Sequence, residues 1–366
     1  MPRHRRFALV TSSLASLVLI GTLAVAAPSG ASAPRTSAMF AAPSSIVSSG
    51  PWIVVANRTS STLTFLAVSN GAMVGHLSHA SLGVNAPSSM VAESVGARRM
   101  VFIAGAGGKV VEVALAASGA SIAVTRVRTF RPKGCALSQG ALLALGAHAR
   151  LVEACADGAL TEWRSATGML VKAVAASVTK TTNVTGLAVL GSSIYLANAA
   201  TAAAGSAPDG VTEVSADTGK RLLAVTNATN ASYAFSSPSG IASDGTHLWE
   251  INSKGDTVDE LAAGTLHFVA SSGTNLTAPG TVLATPTYVW VSSSSVNGSS
   301  SMVTQFDVVS NAVQSPWMMC NSNGPYQFGE PTGFALHDGM LWVANSADNL
   351  VDEMNATTGA LAATYS

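Results

Sequence analysis

Charge is the scarcest ingredient of this 366-residue chain, at 10% of residues, and Lys plus Arg (19) cancel Asp plus Glu (19) to a formal net charge of zero. Nucleic acid and anionic membrane surfaces are both gripped through dense basic patches, so neither is an expected partner. Cysteine is scarce as well: Cys135, Cys155 and Cys320 are the only three, and no Cys-x-x-Cys accompanies them, which disfavours a zinc site. The histidines His76, His79, His148, His247, His267 and His337 are scattered, and only the loose His76-x-x-His79 spacing pairs any of them. No Gly-x-Ser-x-Gly elbow and no phosphate loop occur, so a serine nucleophile or a nucleotide site has no local context. Helix of useful length is missing too, because Ala/Leu-rich runs such as Ala136 to Leu145 are cut by strand and turn signals. The exterior must be built from Ser, Thr, Asn and Gly.

One long apolar run exists, and it lies at the N-terminus. Arg3, Arg5 and Arg6 precede an uncharged stretch from Phe7 to Ala27, with small-x-small sites at Ala24-Val25-Ala26 near its end and at Ala31-Ser32-Ala33 beyond it, the latter weakened by Pro34. Residues 1–33 therefore read as a signal peptide with its cleavage region, and the protein as secreted or extracytoplasmic. If left uncleaved, the run is about long enough to span a bilayer, with the arginines inside, and the membrane becomes a partner only in that case. Residues 34–49 are Ala/Ser/Pro-rich and read as a linker able to add one edge strand.

From residue 50 to the C-terminus one pattern returns. Leu341-Trp342-Val343-Ala344-Asn345, then Leu350-Val351-Asp352-Glu353-Met354, then a turn at Gly359, reads as strand, turn, strand, turn, strand. The Trp342 segment has counterparts starting at Pro51, Val101, Leu151, Ile194, Leu248 and Val289, seven in all, with an aromatic second in six and Val152 as the exception. Small apolar strands such as Gly240-Ile241-Ala242 precede each marker, as expected where strands converge on an axis. Four strands per unit at a period of roughly 40–50 residues is the mark of a propeller blade. The expected fold is all-β: a seven-bladed β-propeller of four-stranded antiparallel blades over residues 50–366.

Pro238-Ser239-Gly240-Ile241-Ala242-Ser243-Asp244-Gly245 running into Leu248-Trp249 resembles the superfamily of NHL repeats, YVTN-type surface-layer propellers and streptogramin-lyase-like propellers. Val211-Thr212-Glu213-Val214, Leu160-Thr161-Glu162-Trp163 and Val351-Asp352-Glu353-Met354 are similar to the Ile-Thr-Glu-aromatic strand of lyase-like repeats. The resemblance implies the fold, and for lyase members a magnesium ion with a His–Glu pair at the channel mouth. No histidine here matches that slot, and second strands end in Asn57, Asn198, Asn252 and Asn345 where an acid is common.

Candidate sites follow from this frame. The third-strand set Glu112, Glu162, Glu213, Glu260, Gln305 and Glu353 recurs in six units, so it serves blade geometry rather than catalysis. Residues approaching the innermost strands are Asn85, Leu137, Asn183, Ser237, Ala278 and Glu330; of these Glu330, with Asn183 and Asn85, could hold a ligand or a divalent metal ion in the central channel. Asp256, Asp259 and Glu260 crowd one turn, as a calcium site or a solvated hairpin. Trp317 and Tyr326 mark an apolar patch between the sixth and seventh units that could receive a small ligand or a partner chain. Insertions at 201–210 and 297–301 read as flexible spacers. Antiparallel strands bring Cys135 and Cys155 to one end of a blade, the favoured disulfide, leaving Cys320 free. The function expected is a binding or scaffold module, its ligand a protein or small molecule, with no catalytic residue and no cofactor assigned. The alternatives are a metal-dependent lyase or lactonase at the channel mouth and, if the leader is retained, an envelope structural protein.

Overall fold

The computed structural model describes residues 39–366 except 96–97, 120, 132–141, 147, 204, 231, 274–275, 295–300, 311–312, 321–325 and 327; for 95 and 313–320 it describes the backbone alone. Seven four-stranded antiparallel sheets follow one another along the chain, each made from one contiguous segment and ordered first to fourth strand from the axis outward. The first strands are Pro43–Ser49, Asn85–Val95, Leu142–Gly146, Val184–Leu190, Pro238–Ser243, Pro279–Ala284 and Pro331–His337. Each packs against the next, and the seventh packs against the first, so the ring is closed. Two single-turn helices, His79–Leu82 and Ala176–Thr179, are the only helices among the described residues.

The first blade corrects two sequence expectations. Pro43–Ser49 lies within the expected 34–49 linker and is the edge strand that stretch was able to add, but it belongs to the first blade as its innermost strand. The propeller therefore begins before residue 50; residues 34–38 lie outside the described residues. Pairing also shifts the first marker by two positions. Pro43 faces Asn57 as Pro238 faces Asn252, which makes Val54, not Trp52, the equivalent of Trp249. Trp52 is still buried on the same face, under the guanidinium of Arg99 at 5.6 Å.

Second strands are buried almost throughout because they face a neighbouring blade on both sides, which suits β-branched and aromatic residues. Their aromatics pair directly across the sheet with the recurrent third-strand polar residue: Phe102 with Glu112, Tyr195 with Glu213, Trp249 with Glu260, Trp290 with Gln305 and Trp342 with Glu353. The first blade inverts the pair, setting Val54 opposite Phe65.

Adjacent blades are stitched where the first strands begin. In six blades a residue at the start of the first strand is left-handed without being glycine: Ala42 (φ 49°), Asn183 (51°), Ser237 (57°), Ala278 (42°) and Glu330 (52°) just before it, and Ala86 (41°) as its second residue; the corresponding residue of blade 3 lies outside the described residues. Such a conformation is strained for an L-residue and persists only when its surroundings hold it. The preceding blade does so in two ways. A side chain of its hairpin between second and third strands takes the strained residue's N–H: Ser61 Oγ from Ala86 (2.9 Å), Asp209 Oδ2 from Ser237 (3.0 Å), Asp256 Oδ1 from Ala278 (2.7 Å), Ser301 Oγ from Glu330 (3.3 Å) and Asn349 Oδ1 from Ala42 (2.6 Å). A hydroxyl on its own first strand then donates to the carbonyl of the following proline: Ser44 to Pro87 (2.5 Å), Thr185 to Pro238, Ser239 to Pro279 and Thr332 to Pro43 (each 2.7 Å). These hydroxyls sit at register breaks, where a bulge re-aims the side chain sideways.

Closure uses the same two bonds, Asn349 to Ala42 and Thr332 to Pro43, without a strand shared between the chain's ends. It is reinforced where Tyr365, stacked on Trp342 at 5.4 Å, lies over Gly71. A Cβ on Gly71 would fall 1.8 Å from the Tyr365 ring, and its φ of +66° favours glycine in any case. Replacing Thr332→Val should cost about 1 kcal/mol, one net hydrogen bond, while Thr332→Ser retains stability. Urea titration of the two variants checks this, and a Thr332→Val protein as stable as the parent would rule out the closing bond.

Candidate functional site

The first strands of all seven blades line a central channel of about 420 Å³. Its described walls are Ser and Thr hydroxyls, glycines, aliphatic side chains and Phe334, and no charged side chain is among them. Four of the hydroxyls, Ser44, Thr185, Ser239 and Thr332, are there because the bulge of a first strand supplies a short donor to the next blade; Ser88 Oγ has no partner among the described residues and Ser89 Oγ accepts the Leu143 N–H. Part of the channel's chemistry is thus a by-product of how the ring is stitched, while Ser45, Ser88, Ser89 and Thr281 add hydroxyls outside those bonds.

Glu330 and Asn183, expected at the channel mouth, hold the equivalent strained position in blades 7 and 4, and neither lines the channel. Glu330 is exposed, and its carboxylate accepts from Ser346 Oγ at 3.2 Å. Asn183 donates from Nδ2 to the Ala199 carbonyl at 3.1 Å. Asn85 falls one residue short of the equivalent Ala86 and is exposed; Leu137 lies outside the described residues. A hard divalent ion needs six or more oxygens, usually with several carboxylates. These positions supply one carboxylate, already engaged, so the residues present do not fit a metal there. Among the described residues no group of three metal-ligating side chains gathers anywhere.

The acids crowded at 256–260 separate in the fold. Asp256 takes the Ala278 N–H, Asp259 is fully buried and accepts from Asn252 and Ser271, and Glu260 faces His247 at 3.4 Å. They form no calcium loop: Asp256 lies on the exposed tip of the hairpin, as a solvated hairpin requires, whereas Asp259 and Glu260 are buried in the strand that follows. Asp244, in the Ser-Asp-Gly turn, illustrates the same economy. Burial raises its pKa, but the N–H of His247, the Trp249 indole (2.8 Å) and the N–H of Thr246 outweigh that and hold it below the usual value.

The recurrent third-strand set serves its blades, each member through a different partner. Glu112 meets Arg128 (2.6 Å), Glu162 meets Arg150 (3.1 Å) and Lys172 (3.8 Å), Glu213 accepts from Ser193 (2.6 Å), Gln305 donates to Ala356 O (2.9 Å), and Glu353 accepts from Tyr365 (2.7 Å).

Tyr326 is committed to packing. Its ring stacks on buried Phe328 at 5.4 Å and its hydroxyl donates to Gly359 O at 2.8 Å. Tyr233-Ala234-Phe235, two blades earlier, repeats this arrangement with a stack at 5.3 Å and a bond to Leu266 O at 2.7 Å. The recurrence makes Tyr326 a strut of the blade connector rather than a ligand contact. The side chain of Trp317 lies outside the described residues. Cys155 is buried and disulfide-bonded, whereas Cys135 and the Cys320 side chain lie outside the described residues.

Sequence reasoning missed the buried acids of the second strands. Glu153 is fully buried, and neither carboxylate oxygen has a hydrogen bond; Glu250 is fully buried opposite Asp259 and shares Asn252 with it. The signal was present, since an acid inside Leu151-Val152-Glu153-Ala154 lies in a strand read as buried on both faces.

No protein-family model matches the sequence, and no curated protein matches it. Among solved structures the chain is similar to Raptor from Chaetomium thermophilum, with a TM-score of 0.64 at 12% identity, covering 86% of this chain and 27% of that one. At that identity the likeness is one of fold. The chain is a seven-bladed β-propeller.

Burial raises the Glu153 carboxyl to about 8, against an ordinary 4.5. Below pH 4.5 both native and unfolded chains hold that proton. Between 4.5 and 8 the unfolded chain loses it first, so stability falls as pH rises, by at most about 1.4 kcal/mol per pH unit from this group. Glu153→Gln should therefore raise the melting temperature at pH 8 and leave it nearly unchanged at pH 4.5. A gain equal at both pH values would count against a buried neutral carboxyl.

Proposed function

We propose that this protein is an exported propeller that works by binding, with the central channel taking a small, neutral, hydroxyl-rich ligand. The observation that carries this reading is the channel wall, which offers rings of Ser and Thr hydroxyls with aliphatic and glycine surfaces and no charged group among its described residues. Such a wall can exchange hydrogen bonds with a polyol while its apolar parts cover the carbon skeleton. Export is supported by the apolar leader at 7–27 and by the disulfide at Cys155, since disulfides persist in oxidising compartments. A retained leader would make the same module a membrane-anchored one. The Asp244 turn and the paired aromatic and acidic residues support kinship with NHL, YVTN-type and streptogramin-lyase-like propellers.

Calorimetric titration with maltose and with inositol tests the channel. Saturable binding is expected from at least one of them. Gly280→Trp, whose added Cβ meets nothing closer than 3.6 Å, should place a ring at the channel and abolish that binding. Heat from neither ligand, or equal heat from the Trp variant, would remove this reading. Export with a Cys135–Cys155 bond is tested by tryptic mapping of the secreted protein without reductant. Peptides 134–150 and 151–164 should run as one linked species, and Cys155 linked to the Cys320 peptide would overturn that pairing.

A further inference from the structure

A second cavity, of about 250 Å³, opens between blades 3 and 4 and shares no residue with the central channel. It is lined by Val152, Glu162, Val189 and Gly191, with Arg150 and Asp217 at the rim. Its origin is the one blade whose pair at this position carries no aromatic on either strand. Val152 pairs with Glu162 where other blades pair Tyr195 with Glu213, Trp249 with Glu260 or Trp342 with Glu353. The space a ring occupies elsewhere is left open here.

Blade 4 shows what such a ring does. The Tyr195 hydroxyl accepts the N–H of Gly264, in the outer turn of blade 5, at 3.0 Å, and donates to Glu213 Oε1 at 3.4 Å. Ser193 donates to the same oxygen at 2.6 Å. Blade 3 keeps every part of this arrangement except the ring. Arg150 stands for Ser193 and donates to Glu162 Oε2 at 3.1 Å. Asp217, in the outer turn of blade 4, stands for Gly264: the bonds Gly219 to Ser215 and Leu266 to Ala262 close the two turns alike. Glu162 is 1% exposed, and its Oε1 has no hydrogen bond, with Lys172 Nζ at 3.8 Å. At the rim His148 and Ala149 are both left-handed, with φ of 60° and 53°.

We propose that this cavity is a binding site for a small phenol. The ring fills the slot between Val152 and Val189, and the hydroxyl donates to Glu162 Oε1 and accepts the Asp217 N–H, as Tyr195 does one blade later. The site is independent of the channel reading, since the two have separate walls and separate ligands.

The test is an amide-resolved NMR titration of the full propeller with 4-methylphenol, and with toluene as the ring without a hydroxyl. Saturable binding of 4-methylphenol is expected, with shifts concentrated at Gly191, Ser192 and Asp217, and toluene should bind at least fivefold more weakly. Val152→Tyr, which supplies the ring covalently, should weaken 4-methylphenol at least tenfold. Should that variant fail to fold, Val152→Leu narrows the slot and is expected to weaken binding about threefold. No saturable binding, equal binding of toluene, shifts elsewhere, or affinity unchanged in the folded variant would each overturn the proposal.

Discussion

The ring depends on a strained turn held by its neighbour. In six blades the first strand begins at a left-handed, non-glycine residue, followed by proline in five of them, a setting the backbone disfavours on its own. The preceding blade captures the N–H of that residue and the carbonyl of the next, so the turn's geometry is maintained only while the neighbour is in place. No blade is complete alone, and because the last blade holds the first through Asn349 and Thr332, the strain is distributed around a closed circuit.

Much of the molecule's polar chemistry is consumed by this circuit. Asp209, Asp256, Ser301 and Asn349 look like loop residues available for a ligand, yet each is spent on a neighbour's backbone. The third-strand acids are spent on cross-strand and inter-blade partners. What is left over is informative: a channel walled by hydroxyls, a few acids buried without adequate partners, and one aromatic position left vacant at Val152. A chain with so few charges has few to spare, which is why the unspent ones stand out.

Blade number, strand order and the structural role of the Glu set were legible because they rest on local alternation and on recurrence, which a single sequence displays directly. The first blade was misaligned because Trp52 imitates the marker tryptophans while sitting two residues before their position, and only strand pairing separates the two. Glu330 and Asn183 looked like site residues for the reason they are structural: they occupy a position shared by the six blades in which that residue is described. Tyr326 was read as a patch because its counterpart Tyr233 is recognised only once both rings are seen stacked on their Phe partners and bonded to an outer turn.

By itself the order of residues determined an all-β chain of seven repeated sheets, with a neutral hydroxyl-rich character and one blade lacking its aromatic. Period and patterning are properties of neighbouring residues, so they survive in one dimension. The tertiary structure alone decided which loop side chains clasp which backbone groups, across separations from 22 to 307 residues, and whether the missing aromatic leaves a void or a collapsed seam. Those outcomes depend on how close two distant segments come, and that distance is set by the closing of the ring.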